Sequence, residues 1–429
     1  MSCRKLHIFV VLKLHAKITN FIMKKIIYTL IFLITSTFIF YGQEKEKIIS
    51  QMVEEVSFLA SDKLEGRETG SLAEKTAANY IKEKFISYNL SPKGDNDSYY
   101  QYFKASVRKN PHSNEIKKKI TGINVVGFKN NNAKETIIIG AHYDHIGYGS
   151  FGSLYSGDKQ VHNGADDNAS GVSIMLNLAH SLISDTNYNY LFIALSGEEH
   201  GLYGSSYYAK NPTINLNNVR FMINFDMVGR LNQENVLAIN GIGTSSHWKK
   251  LIQDANNYNF DLKTTESGIG PSDHTSFYLQ DIPSIHFFTG QHSDYHKPSD
   301  DVEKINFEGM YKIHNYVKEI ILNSISITDF DFQKTASDES NSPKFNVTLG
   351  VMPDYLFDGI GMRIDGISKG KTAEKYGIQK GDIVLAIGNN EVTDMTSYMQ
   401  GLSKFNKGDK TTISIKREDS MIKIDIIFQ

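Results

Sequence analysis

The chain holds a single cysteine, Cys3, in 429 residues. No disulfide within the chain can therefore brace the fold. Basic charge is not in excess either: 46 Lys and Arg stand against 48 Asp and Glu, for a formal net charge of -2. No basic run stands out, which excludes a nucleic-acid partner, because phosphate binding needs a basic face. Internal repeats and low-complexity tracts are absent as well. What is present is ordinary for a globular protein, with 40% hydrophobic and 22% charged residues. The length exceeds what one ordinary core accommodates and predicts two or three domains.

The longest apolar run, Ile26 to Tyr41, is shorter than the roughly 20 residues a membrane-spanning helix needs. It follows Lys24 and Lys25, and the polar chain resumes at Gln43. A basic flank before a short apolar core is the pattern of a secretory signal peptide, here within residues 1–42. Met23 opens a compact version of that signal. The expectation is a secreted or periplasmic protein with no stable membrane span after cleavage; an uncleaved N-terminal anchor is the alternative. Cleavage near Gly42 would leave no cysteine, so that metal ligands must be His, Asp and Glu.

Apolar spacing predicts a helix over Glu44 to Ala60 and another after Ser71, whereas Ser91 to His112 reads as an irregular connection. From Ile120 the pattern alternates. Strands are expected at Gly122–Phe128, Thr136–Ala141, Tyr190–Leu195, Val219–Phe225 and Ile282–Phe288. Amphipathic helices are expected over Val172 to Ile183 and Phe307 to Leu322. This alternation predicts an α/β sheet with helices on both faces over residues 44–325. Residues 326–343, polar and acidic, read as a linker, and residues 344–429 suffice for a small second domain.

The acids and histidines fall at the strand ends. His142 follows the strand Thr136–Ala141, Glu198-Glu199 follow Leu195, and Asp226 follows Phe225. Asp166-Asp167 lie in the loop that opens the Val172 helix. In open α/β sheets, ligand sites collect beyond the carboxyl ends of the strands. Taken singly, each residue has an ordinary explanation: a solvated Glu pair, a core histidine, a helix cap. Together they form a donor set of His and carboxylate suited to zinc. Two histidines and three carboxylates exceed the need of one tetrahedral zinc. With one carboxylate bridging, two metals would each receive three ligands and keep a position for water. A further acid, free of metal, would move the proton, and Glu198-Glu199 can supply one residue to each task. His292 and His296 both qualify as the second histidine.

These motifs resemble the zinc exopeptidases that include bacterial leucyl aminopeptidases, aminopeptidase Y, glutamate carboxypeptidase and glutaminyl cyclase. The resemblance spans about Ile48 to Leu322 and includes Leu64-Glu65-Gly66-Arg67. It implies a mixed, mostly parallel sheet and two zinc ions held by His142, Asp167, Glu199, Asp226 and His296. Asp167 would bridge, with His142 and Asp226 on one metal and Glu199 and His296 on the other. Glu198 would be the general base and Tyr295 would stabilise the oxyanion. Asp144 would hold His142 from behind, and Asp300 would hold His296. His296 is preferred to His292 because Asp300 follows it by four residues. A cis peptide after Asp167 is a further family trait. The Ser272-Asp273-His274 run cannot form a catalytic triad, being contiguous, and reads as pocket lining. His145, His162 and His200 receive no ligand role.

The last 85 or so residues resemble a bacterial-type PDZ domain, through Leu349-Gly350-Val351 and Gly377-Ile378-Gln379-Lys380-Gly381-Asp382. That resemblance implies that Leu349, Gly350 and Val351 form a loop offering backbone N–H groups to a polypeptide C-terminus. The expected activity is removal of N-terminal residues from peptide or protein substrates. The rivals are a carboxypeptidase or dipeptidase on the same scaffold, or a non-catalytic peptide-binding protein.

Overall fold

The computed structural model describes residues 43–108, 116–149, 152–335, 347–354, 357, 359–367 and 370–428, with 23 and 25. The expected signal segment, 1–42, falls almost wholly outside the described residues. Among the described residues no helix is long and apolar enough to cross a membrane. The chain divides into two compact units, residues 1–51 and 52–429. In the first, residues 43–51 are helical.

The second unit opens with a helix over 52–59 and continues through the helix Leu72–Ser87, whose first turn is capped by the Ser71 side chain accepting from Glu74 N. Its nine-stranded sheet is formed by β1 (Ser91–Pro92), β2 (Tyr100–Arg108), β3 (Ile116–Lys129), β4 (Thr136–His142), β5 (Asn189–Leu195), β6 (Val219–Phe225), β7 (Val236–Asn240), β8 (Asp261–Thr265) and β9 (Ser284–Phe288). The order is β1-β3-β5-β4-β6-β9-β7-β8, with β2 on β3. The central block β5-β4-β6-β9 is parallel. Its strands are continuous β-branched and aromatic runs, buried on every residue of β4, β5 and β9, as expected where helices cover both faces.

Two expectations fail here. The stretch read as irregular contains β2, paired with β3 from Tyr100 to Arg108. Gln101, Phe103 and Ala105 are buried while Tyr102 and Lys104 are exposed, so a period of two was present beneath the turn-rich composition. The proposed linker, in turn, begins packed. Phe330 sits against Phe221 and Trp248, Phe332 against Tyr278, and Thr335 N donates to the Tyr278 hydroxyl. Acidic neighbours masked an aromatic pair that docks.

Residues 351–427 form a six-stranded sheet of β10 (Val351–Pro353), β11 (Met362–Ile367), β12 (Ile383–Ile387), β13 (Asn390–Glu391), β14 (Lys410–Arg417) and β15 (Ser420–Ile427). Its own core includes Leu349, Ile364, Val384, Ile413 and Ile415. Among the described residues strand β10 pairs with β11 alone and lies at the end of the strand order.

One buried acid ties the leading helix to the helix Gly171–Ser181. Glu55 accepts from Ser173 Oγ at 2.8 Å and from Asn177 Nδ2 at 2.7 Å, with Lys84 Nζ 3.5 Å away. Burial outweighs Lys84 and lifts its pKa from 4.5 to about 7. The folded state therefore binds a proton that the unfolded state releases between these values, and stability falls as pH rises from about 4.5 to about 7. The shift corresponds to a cost on the order of 3 kcal/mol above that window. Glu55→Gln should flatten this part of the stability profile. Denaturant unfolding at pH 4.5 and pH 8 checks it: an equal pH dependence in both proteins contradicts the assignment.

Candidate metal centre

Register brings the acids together. In the parallel pairing His142 lies opposite Leu195 and Ala141 opposite Phe225, so β4, β5 and β6 release their following residues at one edge. The fourth contribution comes from the turn Ala165–Ser170, which enters the helix Gly171–Ser181. Asp167 (φ -106°, ψ 89°) and Asn168 break that turn, and the peptide between them is cis. Asn168 stitches the edge: its Nδ2 donates to His142 O (3.2 Å) and Phe225 O (2.9 Å), and its Oδ1 accepts from Gly171 N and Met227 N.

The donor atoms form two groups that share Asp167. His142 Nε2 lies 3.4 Å from Asp167 Oδ1 and 3.2 Å from Asp226 Oδ1. His296 Nε2 lies 3.2 Å from Asp167 Oδ2 and 3.0 Å from Glu199 Oε2. Ligands at roughly 2.0–2.1 Å from a tetrahedral zinc sit roughly 3.3–3.4 Å from one another. The separations are close to the edges of such tetrahedra, and the two oxygens of Asp167 face different groups. The residues present therefore fit metal. His145, which the sequence reading set aside, belongs to the second group: its Nδ1 is 2.7 Å from Glu199 Oε1 and 3.8 Å from Asp167 Oδ2. Among the described residues the two sets within 4.8 Å are His142, Asp167, Asp226 and His145, Asp167, Glu199. His145 follows His142 by three positions, which was the one sequence signal for it.

Electrostatics separate the adjacent glutamates. Burial, reinforced by Asp226 and Glu199, pushes Glu198 well above the ordinary carboxylate range, although His142 opposes it. Burial would raise Glu199 too, but His296 and His145 outweigh it and hold that carboxyl well below its usual value. Burial and Glu199 raise Asp167, whereas His142 overcomes burial and lowers Asp226.

The surrounding residues depart from expectation at one point. Asp300 does not face the His296 ring, whose Nδ1 lies 2.9 Å from Gly152 O. Its Oδ2 instead accepts from the amides of Asp166 (3.0 Å) and Asp167 (3.1 Å), because the turn's backbone reaches the carboxylate first. Asp144 Oδ1 stands 3.7 Å from His142 Nδ1 and also accepts from Glu198 N at 3.3 Å, while its Oδ2 accepts from Thr69. Tyr295 stacks on His296, ring centroids 3.9 Å apart. His292 pairs with Asp166 at 3.0 Å. Asp273 and His274 are buried, and the His274 ring stacks on that of His286 at 4.9 Å. In the C-terminal sheet, Leu349 is buried, Gly350 has φ +74°, and Gly350 N donates to Thr348 Oγ1 at 2.9 Å. A carboxylate taking that amide must displace the threonine hydroxyl.

Residues 124–321 match the model of Peptidase family M28, and residues 336–427 match that of the PDZ domain. The first region is thus similar to Peptidase family M28. The chain is 28% identical over 246 residues to aminopeptidase YwaD of Bacillus subtilis, covering 54% of this chain and 50% of that protein. It spans about half the length of the curated relatives it matches. The fold is that of the zinc aminopeptidase BSAP from Bacillus subtilis (20% identity, TM-score 0.54, covering 68% of this chain and 97% of that one). Glutaminyl cyclase from Bacteroides thetaiotaomicron is similar as well (20% identity, TM-score 0.52, covering 64% and 97%).

Asp300→Ala should leave the two amides of the Asp166-Asp167 turn unpartnered and cost about 2–4 kcal/mol in the metal-free protein. Denaturant unfolding in the presence of a chelator measures this; a loss under about 0.5 kcal/mol would remove Asp300 from its place in the turn.

Proposed function

We propose that the chain is a secreted aminopeptidase that removes N-terminal residues from peptides at a centre of two zinc ions. The observation that carries this reading is the division of Asp167: one oxygen faces His142 and Asp226, the other His296 and Glu199. His142, Asp167 and Asp226 would hold one ion, and His296, Asp167 and Glu199 the other. Bound zinc supplies Lewis acidity at the scissile carbonyl and lowers the pKa of a water molecule. Glu198, free of metal in this reading, would take a proton from the attacking water and return it to the leaving amine. Asp144 orients it through the Glu198 amide. Tyr295, stacked on His296, stands beside the ligand set, where its hydroxyl would steady the oxyanion. Fold likeness alone does not separate a peptidase from a glutaminyl cyclase; the complete second group of donors favours the peptidase. The export reading rests on Lys24, Lys25 and the apolar run Ile26–Tyr41. The PDZ domain, in the same proposal, receives a polypeptide C-terminus along β10, with Leu349, Gly350 and Val351 nearest the carboxylate.

Peptides with free amino, blocked amino and blocked carboxyl ends, assayed with and without a chelator, test the activity. Free-amino and carboxyl-blocked peptides should be cut from the amino end, and the chelator should abolish cleavage. Release of C-terminal residues from amino-blocked peptides would replace the aminopeptidase reading with a carboxypeptidase. Glu198→Gln should keep its zinc while kcat falls about 10²–10⁴-fold. Loss of both metals in that variant would show that Glu198 is a ligand rather than a base.

A further inference from the structure

The residue that joins the metal-bearing segments to one another lies ahead of residues 124–321, in the Leu64-Glu65-Gly66-Arg67 stretch. Arg67 is 1% exposed. A buried guanidinium ordinarily meets a carboxylate; among the described residues this one donates to main-chain carbonyls alone. Nε donates to Tyr143 O at 2.8 Å, Nη2 to Gly164 O at 3.1 Å, and Nη1 to Asn163 O at 2.7 Å and to Leu59 O. Tyr143 is the neighbour of His142, and Gly164 lies three residues before Asp167. One rigid fork thus spans the backbone of two segments, some 76 and 97 positions away in sequence, that carry donors to the same group.

Local backbone serves this placement. Gly66 has φ +68°, and a Cβ there would stand 2.5 Å from both Gly147 O and His162 O, so a side chain would lift the turn away from the loop after β4. Next to it, Thr69 Oγ1 donates to Asp144 Oδ2 at 2.8 Å. Arg67 also lies in the field of Asp167, Asp144, Asp300 and Glu199. Burial lowers its pKa to about 10, with those acids opposing the fall, so it remains a cation at neutral pH. Two different services could follow from this placement: a charge that offsets the acids, or a fork that sets the distance between the loops. Four carbonyl acceptors, with no carboxylate hydrogen-bonded to it among the described residues, favour the fork.

We propose that Arg67 is a positioning residue whose guanidinium sets the spacing between the His142 and Asp167 segments at which their side chains converge on metal. The inference rests on the reading of the two donor groups as zinc sites.

Arg67→Lys separates the two services, since lysine keeps the charge but is a point donor that cannot span three segments. Arg67→Met removes both. The measurement is zinc affinity of the full chain by competition with a chromogenic chelator, with thermal unfolding of the metal-free protein alongside. Both variants should fold and bind zinc roughly 10- to 100-fold more weakly than the unaltered chain. Wild-type affinity in a folded Arg67→Lys assigns the role to charge and overturns the proposal, as does unchanged affinity in both variants. Failure of both to fold makes Arg67 a residue of the core and overturns it too. An unaltered chain that binds no zinc sinks the metal reading itself, a result distinct from each of these.

Discussion

One carboxylate, that of Asp167, faces two groups of donors with its two oxygens, and the architecture around it is arranged to hold it so. A buried carboxylate beside other carboxylates is unfavourable by itself, through lost hydration and through repulsion. Asp167, Glu199 and Asp226 nevertheless meet within a few ångströms of His142 and His296. His296 beside Glu199 and His142 beside Asp226 offset part of this, and divalent cations would offset it more fully. The site is thus a place where folding stability is given up for binding capacity.

The convergence is carried by backbone as much as by side chains. Parallel register releases His142, the Glu198-Glu199 pair and Asp226 at one edge. Asn168 fastens the ends of β4 and β6 to the turn, and Asp300 holds the amides of that turn. Arg67 then links the approach to the turn, at Gly164, to Tyr143 just after β4. Each of these residues acts on carbonyls or amides, leaving the donor atoms of the ligands themselves free to face one another.

Much of the fold was legible in the sequence, because buried parallel strands are dense in Ile, Val and Phe and announce themselves. Val219–Phe225 was read to the residue. Strands β7 and β8 were not seen; β8 alternates weakly at the sheet edge, where burial exerts little selection on pattern. β2 was hidden by Asn, Gly and Pro in the segment before it. His142, Glu199 and Asp226 stand out by following apolar strands, whereas Asp167 and His296 are singled out by the family resemblance. His145 and Arg67 could not be assigned from sequence, since their meaning lies in contacts with Glu199 and with distant carbonyls. Asp300 was placed on the wrong partner for a related reason: a spacing of four from His296 says nothing about which backbone turn comes closer.

The most direct measurement is X-ray absorption at the zinc edge of the zinc-loaded chain, which reads the distance between metals without crystals. A bridge through Asp167 predicts a zinc–zinc scattering component at about 3.5–4 Å, over a first shell of nitrogen and oxygen alone. A first shell of the same composition with no metal–metal component, in a sample holding one zinc per chain at saturation, would contradict the shared carboxylate on which the account stands.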